Sequence, residues 1–438
     1  MTVTDREDVL ESCRRFMAGK PTADFIPGET YIPPSGKIID EDDLVNLVDA
    51  SLDMWLTTGR FASDFEAALA KKMNVKRALL TVSGSAANLL AFSALTSRKL
   101  RDRRILPGSE VLTVAAGFPT TIAPIVQNQC VPVFVDIEMG TYNVNVSQLE
   151  AAVTQKTRAI ILAHALGNPF NLPAVKEIAD RHNLFLIEDC CDALGATFDG
   201  KSVGSWGDMS TLSFYPAHHI TMGEGGAIMT NRKIFARLVE SFRDWGRDCW
   251  CPPGQENTCN NRFGWKLGDL PVGYDHKYTY SHLGYNLKTT DMNAAVGLSQ
   301  IAKVDDFIAA RRDNFDYFSN AFKSEGLDEH FILPSATPGS DPSWFGYLIT
   351  IRQDSPLRRR DVVNYLERHR IGTRLFFAGN ITRQPAFEGV EHRVASPLVV
   401  SDTVMNDTFW IGVWPGIGHA ERSYIAEVFT EMVKRLTS

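Results

Sequence analysis

Between about residues 80 and 230 the chain repeats one pattern, a short aliphatic run followed by a stretch with helical spacing. The runs VLTVAA (111–116), VPVFVDI (131–137), AIILAHA (159–165) and LFLIED (184–189) are nearly continuous in Val, Ile, Leu and Ala. VSQLEAAVTQ and LPAVKEIADRHN lie between them. A strand that is apolar on both faces has to be covered on both, and a parallel sheet with crossover helices does this. The expected fold is α/β, with a large, mostly parallel sheet. With 438 residues the chain has room for that domain and a smaller one beside it.

The break in the rhythm comes at about 247–281, a stretch rich in Gly, Pro, Asn and aromatics with no clear period. A long irregular segment inside a compact domain is usually functional or disordered, and the cysteines and aromatics here favour order. The segment 289–326 then reads as a long helical region, kinked or paired, and DPSWFGYLITI begins a new strand-rich unit. The expected division is an N-terminal arm and large domain over 1–325, carrying the insertion, and a smaller α+β domain over 326–438.

Composition narrows the functions available. Hydrophobic residues are 44% and charged residues 22%, the balance of a folded globular chain. Fifty-two acidic against 45 basic side chains give a net charge of −7, which argues against nucleic acid as a partner. No run reaches the roughly 18 apolar residues of a membrane helix. The opening MTVTDREDVLESCRR lacks the apolar core of a secretory signal, so no membrane association and a cytoplasmic location are expected.

Four places can carry chemistry. In TVSGSAANLLAFSAL a strand ends at Ser83-Gly84-Ser85 and a helix begins at once. That is either an anion cradle of free amides or a plain capped helix start. In LFLIEDCCDALG a strand ends in Glu188, Asp189, Cys190, Cys191 and Asp192, where open α/β sheets place ligands; a helix-capping carboxylate is the alternative. STLSFYPAHHITMGEGG sets Ser213, Tyr215, His218 and His219 before a Gly turn, as a base, a metal ligand or loop histidines. Lastly, five of the seven cysteines fall in two short groups, Cys190 with Cys191 and Cys249 with Cys251 and Cys259: 57 residues separate Cys191 from Cys249, one separates Cys249 from Cys251, and seven separate Cys251 from Cys259. Four thiolates can hold zinc or an iron–sulfur cluster, and unligated buried thiols are the alternative.

In this order SGSAANLLA, GFPTT, IEDCCDALG, SFYPAH and GYNLKTTDMNAA resemble the DegT/DnrJ/EryC1/StrS sugar aminotransferase and dehydratase family, built on the aspartate-aminotransferase fold. The likeness covers nearly the whole chain. It departs where the family's S-F-x-x-x-K places the Schiff-base lysine, since this chain has His218. Imidazole is not a primary amine and cannot tether the coenzyme, so the resemblance points to pyridoxamine phosphate held non-covalently. With the cysteine spacing it narrows to the iron–sulfur 3-dehydrase branch.

That resemblance implies particular roles. Gly84, Ser85 and Ser213, with Asn286 from the second subunit of a homodimer, would hold the coenzyme's phosphate. Phe118 would stack on its ring, and Asp189 would face the ring nitrogen. His218 would be the base, with Tyr215 helping to place the proton or stabilise a radical. Cys191, Cys249, Cys251 and Cys259 would bind a 2Fe-2S cluster fed by a separate reductase. The substrate would be a nucleotide-linked 4-keto-6-deoxyhexose, with CDP the favoured carrier, in deoxysugar and lipopolysaccharide O-antigen biosynthesis. Arg374 and Arg383 are candidates for its diphosphate, with surface salt bridges the competing explanation. A cluster-independent dehydratase and a non-catalytic homologue are the other readings.

Overall fold

The apolar runs become strands that bury both faces. The computed structural model describes residues 5–21 and 24–437. It places β1 (Arg77–Thr81), β2 (Glu110–Val114), β3 (Val131–Val135), β4 (Thr157–Ala163), β5 (Phe185–Asp189), β6 (Met209–Ser213) and β7 (Gly226–Thr230) in one sheet. Phe331–Ile332 (β8), Gly346–Ile351 (β9) and Thr408–Gly412 (β11) form a second, antiparallel sheet, while Arg393–Val394 (β10) returns to pair with β3. The large sheet runs β1-β7-β6-β5-β4-β2-β3-β10.

Alternation along each strand divides its side chains between two cores. In β4, Ile160 and Leu162 pack with Phe65 and Val175 on one face, and Ile161 packs with Leu90 and Val239 on the other. A third core, around Phe318, Tyr347, Phe409 and Phe429, lies between the second sheet and its helices. The chain beyond 325 does not stay with that core, because Phe376, Ile381, Leu398 and Val404 return to the large sheet's cores.

Within the large sheet β7 runs against its neighbours β1 and β6, since the turn joining it to β6 contains no crossover helix. As a consequence β1 and β6 are parallel to each other, and the carboxyl ends of β1, β5 and β6 open on one edge. The helical stretch after residue 289 resolves into two helices, Asp291–Ala302 and Val304–Ser324, meeting at Lys303. Among the described residues no helix is long and apolar enough to cross a membrane.

The 247–281 insertion is ordered at its root by backbone pairing. The Trp245 amide donates to Tyr285 O (2.6 Å) and the Ser281 amide to Gly246 O (2.9 Å). Gly246 is at φ +84°, and a Cβ there would lie 1.9 Å from His282 O, so the crossing requires glycine. His282 locks the root to the large domain, its Nδ1 2.8 Å from Ser241 Oγ and its Nε2 2.7 Å from Ser97 Oγ. Burial, and then the neighbouring Lys99, lower its pKa to about 4. Because the unfolded chain protonates this ring near 6.5 and the folded chain does not, stability is lost as pH falls from about 6.5 towards 4. Denaturant melts across that range should show the loss, and His282→Gln should flatten it.

Candidate active site

The cradle begins where β1 turns into the helix Gly84–Leu95. Ser83 caps that helix, its Oγ accepting from the Ala86 amide, which leaves the first-turn amides of Gly84 and Ser85 for an anion. A Cβ on Gly84 would stand 2.5 Å from Ser213 Cβ and 3.0 Å from Cys191 Sγ. Gly84, Ser213 and Cys191 therefore meet at one point. On the next strand a Cβ on Gly226 would fall 2.4 Å from the Ser83 carbonyl group. Ser85, exposed, donates to Thr120 Oγ1 (3.0 Å).

Gly84→Ala tests this packing. Overpacking of this kind costs about 1–3 kcal/mol. The expected outcome is a lower melting temperature and at least about tenfold weaker binding of pyridoxamine phosphate by titration, the loss that about 1.4 kcal/mol brings.

Asp189 ends β5 almost fully buried, and its carboxylate is held from three directions. Oδ2 accepts from Asn88 Nδ2 (2.8 Å) and Thr121 Oγ1 (2.6 Å), and Oδ1 accepts from the Cys191 amide (3.1 Å). Asn88 is itself oriented by Thr211, which donates to its Oδ1 at 2.7 Å. Asn88, Thr121 and Thr211 carry no local signal in the sequence, since Asn88 shares its helix with Ser85 and Ser93 and the two threonines lie in ordinary helix and strand runs. Phe118, at the start of the helix that carries Thr121, is 47% exposed and edge-on to Phe377 at 5.8 Å.

His218 follows β6 in a turn whose backbone is clamped by a buried cation. Arg311 donates to His218 O (3.2 Å), Trp344 O (3.3 Å) and Phe345 O (3.4 Å), and burial lowers its pKa to about 10. The imidazole lies against Phe345, ring centres 5.3 Å apart, and its Nδ1 is 3.2 Å from Asp192 Oδ1 without a well-aligned hydrogen bond. His219 serves differently. It is buried, its Nε2 3.0 Å from Ser343 O, and burial together with Arg311 holds it neutral by pushing its pKa far down. Tyr215 is half exposed, and only its amide, donating to Ser213 Oγ at 3.4 Å, ties it to the cradle.

Glu188, one residue before Asp189, is structural. It accepts from the amides of Gly204 (2.7 Å), Trp206 (2.8 Å) and Gly207 (2.6 Å) and so pins the loop before β6. His164, Glu188 and Cys190 are the one group of three potential metal donors within 4.8 Å of one another among the described residues. All three side chains are fully enclosed; His164 stacks on Phe170 at 4.3 Å and its Nδ1 accepts from the Phe170 amide, while its Nε2 faces Glu188 at 3.6 Å without a hydrogen bond.

The expected four thiols are not gathered in one chain. Cys249, Cys251 and Cys259 line a small open pocket in the insertion, together with Glu256, Arg262 and His276, while Cys191 lies in the cradle. Burial alone would raise the Cys251 thiol, but hydrogen bonds involving Thr258, the Cys259 amide and Cys249 bring its pKa down to about 7. Burial, followed by Asp189, pushes the Cys191 thiol well up. Asn286 is exposed and pairs within its own chain with Lys288 (2.9 Å) and the Asp244 backbone, outside the cradle. Arg383 is tied to Asp402, its Nε 2.6 Å from Oδ1, whereas Arg374 is exposed and donates to Thr373 O (2.8 Å).

The cradle suits a phosphorylated pyridine. It offers two free amides and Ser213 for an anion, and Thr120 and Thr121 link to it the half-exposed Phe118 and the buried Asp189 carboxylate. The comparisons agree with that chemistry. The chain is 55% identical over 423 residues to the lipopolysaccharide biosynthesis protein RfbH of Salmonella typhimurium, covering 97% of this chain and 96% of that protein. It is 53% identical over 436 residues to the dTDP-4-dehydro-2,6-dideoxy-D-glucose 3-dehydratase of Saccharopolyspora spinosa, covering 99% and 93%. Among solved structures it is similar to the E. coli GDP-4-keto-6-deoxy-D-mannose-3-dehydratase with bound hydrated PLP, with a TM-score of 0.82 at 28% identity, covering 92% of this chain and all of that one. With a sequence profile matching residues 37–430, the chain belongs to the DegT/DnrJ/EryC1/StrS aminotransferase family.

Proposed function

We propose that this chain removes the C3 hydroxyl of a nucleotide-linked 4-keto-6-deoxyhexose with pyridoxamine phosphate as coenzyme. The observation that carries this reading is His218, an imidazole at the family's lysine position, backed by Asp192 and Arg311 in a turn that contains no lysine. Bound in the cradle, pyridoxamine phosphate supplies a primary amine for the C4 ketone and an electron-withdrawing ring. Gly84, Ser85 and Ser213 hold its phosphate, together with the partner subunit's Asn286. Phe118 covers the ring face, and Asp189 keeps the ring nitrogen protonated. His218 takes and returns a proton at the coenzyme's methylene carbon, with Tyr215 at the open side.

A 2Fe-2S cluster on Cys191, Cys249, Cys251 and Cys259 belongs to the same reading, as does a separate reductase. Exchanging a C3 hydroxyl for hydrogen needs two electrons, and the chain carries no G-x-G-x-x-G dinucleotide turn of its own. CDP is the carrier we favour, and the dTDP and GDP in the relatives' names supply the other arms of the assay.

The test is to offer CDP-, dTDP- and GDP-linked 4-keto-6-deoxyhexose to the purified protein with pyridoxamine phosphate and a reductant, and to read the product by mass spectrometry. The expected product has lost the C3 oxygen and forms only when the coenzyme is present. An amino sugar in its place, formed with glutamate, would overturn the reading. The separation of Cys191 from the other three thiols favours a second reading, a cluster-independent dehydratase. A 3-deoxy product from iron-free protein given glutamate and no reductant would establish it, the two electrons then coming from conversion of the coenzyme's amine to its aldehyde, which glutamate reverses.

A further inference from the structure

We infer that the four-thiol site is completed between two copies of this chain, with Cys191 of one subunit facing Cys249, Cys251 and Cys259 of the other. The inference rests on the dehydrase reading above and specifies how its metal site is built.

Cys191 is fixed in the cradle. Its amide is bonded to Asp189, its Sγ abuts Gly84, and Asp189 is held in register between β4 and β6. The other three thiols are fixed elsewhere. Their loop lies along the outer side of the helix Lys233–Arg243, where the Arg237 guanidinium sits 4.7 Å over the Trp250 ring and Lys99 pairs with Asp248. The opposite side of that helix buries Phe235, Leu238 and Val239 against the sheet. Helix therefore stands between this end of the insertion and β5. No residue of β5 or of the cradle lines the three-cysteine pocket. The loop is stiffened from within by Arg262, which reaches Asp275 at 2.7 Å and Glu256 at 3.0 Å, and by Trp265 stacked on His276 at 4.8 Å. Three thiolates leave a tetrathiolate cluster one ligand short.

The missing ligand is supplied by symmetry. The root of the insertion presents Tyr280 and Leu283 to solvent, Leu283 at 96% exposure, and Asn286 beside them turns away from its own cradle. The cradle's mouth presents Phe118 and Tyr215, about half exposed. In a two-fold pair a contact made by one copy is made by the other as well. Seating each root on the opposite mouth covers both apolar sets and carries each insertion to the partner's Cys191. A dimer then holds two equivalent clusters.

Paired variants decide it. Two differently tagged chains, Cys191→Ala and Cys251→Ala, are co-expressed; the mixed dimer is isolated through both tags and reconstituted anaerobically with ferrous iron and sulfide. Iron and acid-labile sulfide in the mixed dimer should reach half the wild-type content, while neither variant homodimer holds any. In the mirror experiment a chain with both substitutions is paired with a wild-type chain, and the mixed dimer should hold none. Nothing in the first mixed dimer, or half content in the second, would place all four ligands in one chain and overturn the inference. Full iron in the Cys191→Ala homodimer would also overturn it, closing the site on the insertion's own His276. The pair Cys191→Ser and Cys259→Ser, checked for dimer formation by gel filtration, repeats the measurement if an alanine variant fails to fold. Wild-type protein that takes up neither iron nor sulfide would remove the cluster itself and the inference with it. Coenzyme-dependent product formation in the assay above would then still stand, so the two failures are distinguishable.

Discussion

Protein carrying His218→Asn is expected to bind pyridoxamine phosphate as wild type does and to lose exchange of the coenzyme's methylene hydrogen with deuterated solvent. The expected drop is about 10²–10⁴-fold, the usual contribution of a positioned general base. Asparagine keeps a planar polar side chain but has no nitrogen that titrates near neutral pH. The turn should survive the change, because Arg311 holds its backbone through the carbonyl of residue 218 and not through the ring. Deuterium incorporation followed by mass spectrometry measures the loss, and normal exchange would reject His218 as the base. The reciprocal change, His218→Lys, is expected to restore an amine that borohydride can trap on the coenzyme.

Asp189→Asn is the second large effect. The carboxylate receives hydrogen bonds from Asn88, Thr121 and the Cys191 amide, and all three partners are donors. An amide cannot meet donors at both ends: whichever way it turns, its NH2 faces another N–H or O–H. Leaving buried polar groups unsatisfied costs about 1–3 kcal/mol. On the proposed reading the charge that would keep the ring nitrogen protonated is lost as well, so methylene exchange should fall on the order of 10²–10³-fold, as when a preorganised electrostatic partner is removed. Exchange rate and coenzyme affinity, measured together, check it. Wild-type exchange in this variant would mean that Asp189 does not face the ring nitrogen.

The strand ends were legible in the sequence because each lies beside a local signal. Asp189 closes an apolar run, Gly84 follows one, and His218 stands in a motif with a fixed offset from Ser213. The supports behind them carry no such signal. Asn88 and Thr211 meet across 123 residues, and Asp192 reaches His218 across a strand and a turn. Arg311, a fully buried cation on a helix that also serves the third core, contacts the His218 carbonyl from 93 residues away. The direction of β7 was also hidden, since apolar alternation looks the same whichever way a strand runs.

By itself the sequence determined the α/β class and the places where strands end in small or polar residues, Gly84, Asp189 and His218 among them, because period, small-residue turns and side-chain chemistry are local properties. Only the tertiary structure decided which groups share a site. It joined Gly84, Ser213 and Cys191 at one strand edge, stood Asp192 behind His218 and put Cys249, Cys251 and Cys259 in a pocket that Cys191 does not line. Distances between segments far apart in the chain follow from register and packing, and neither is written in any one stretch of residues.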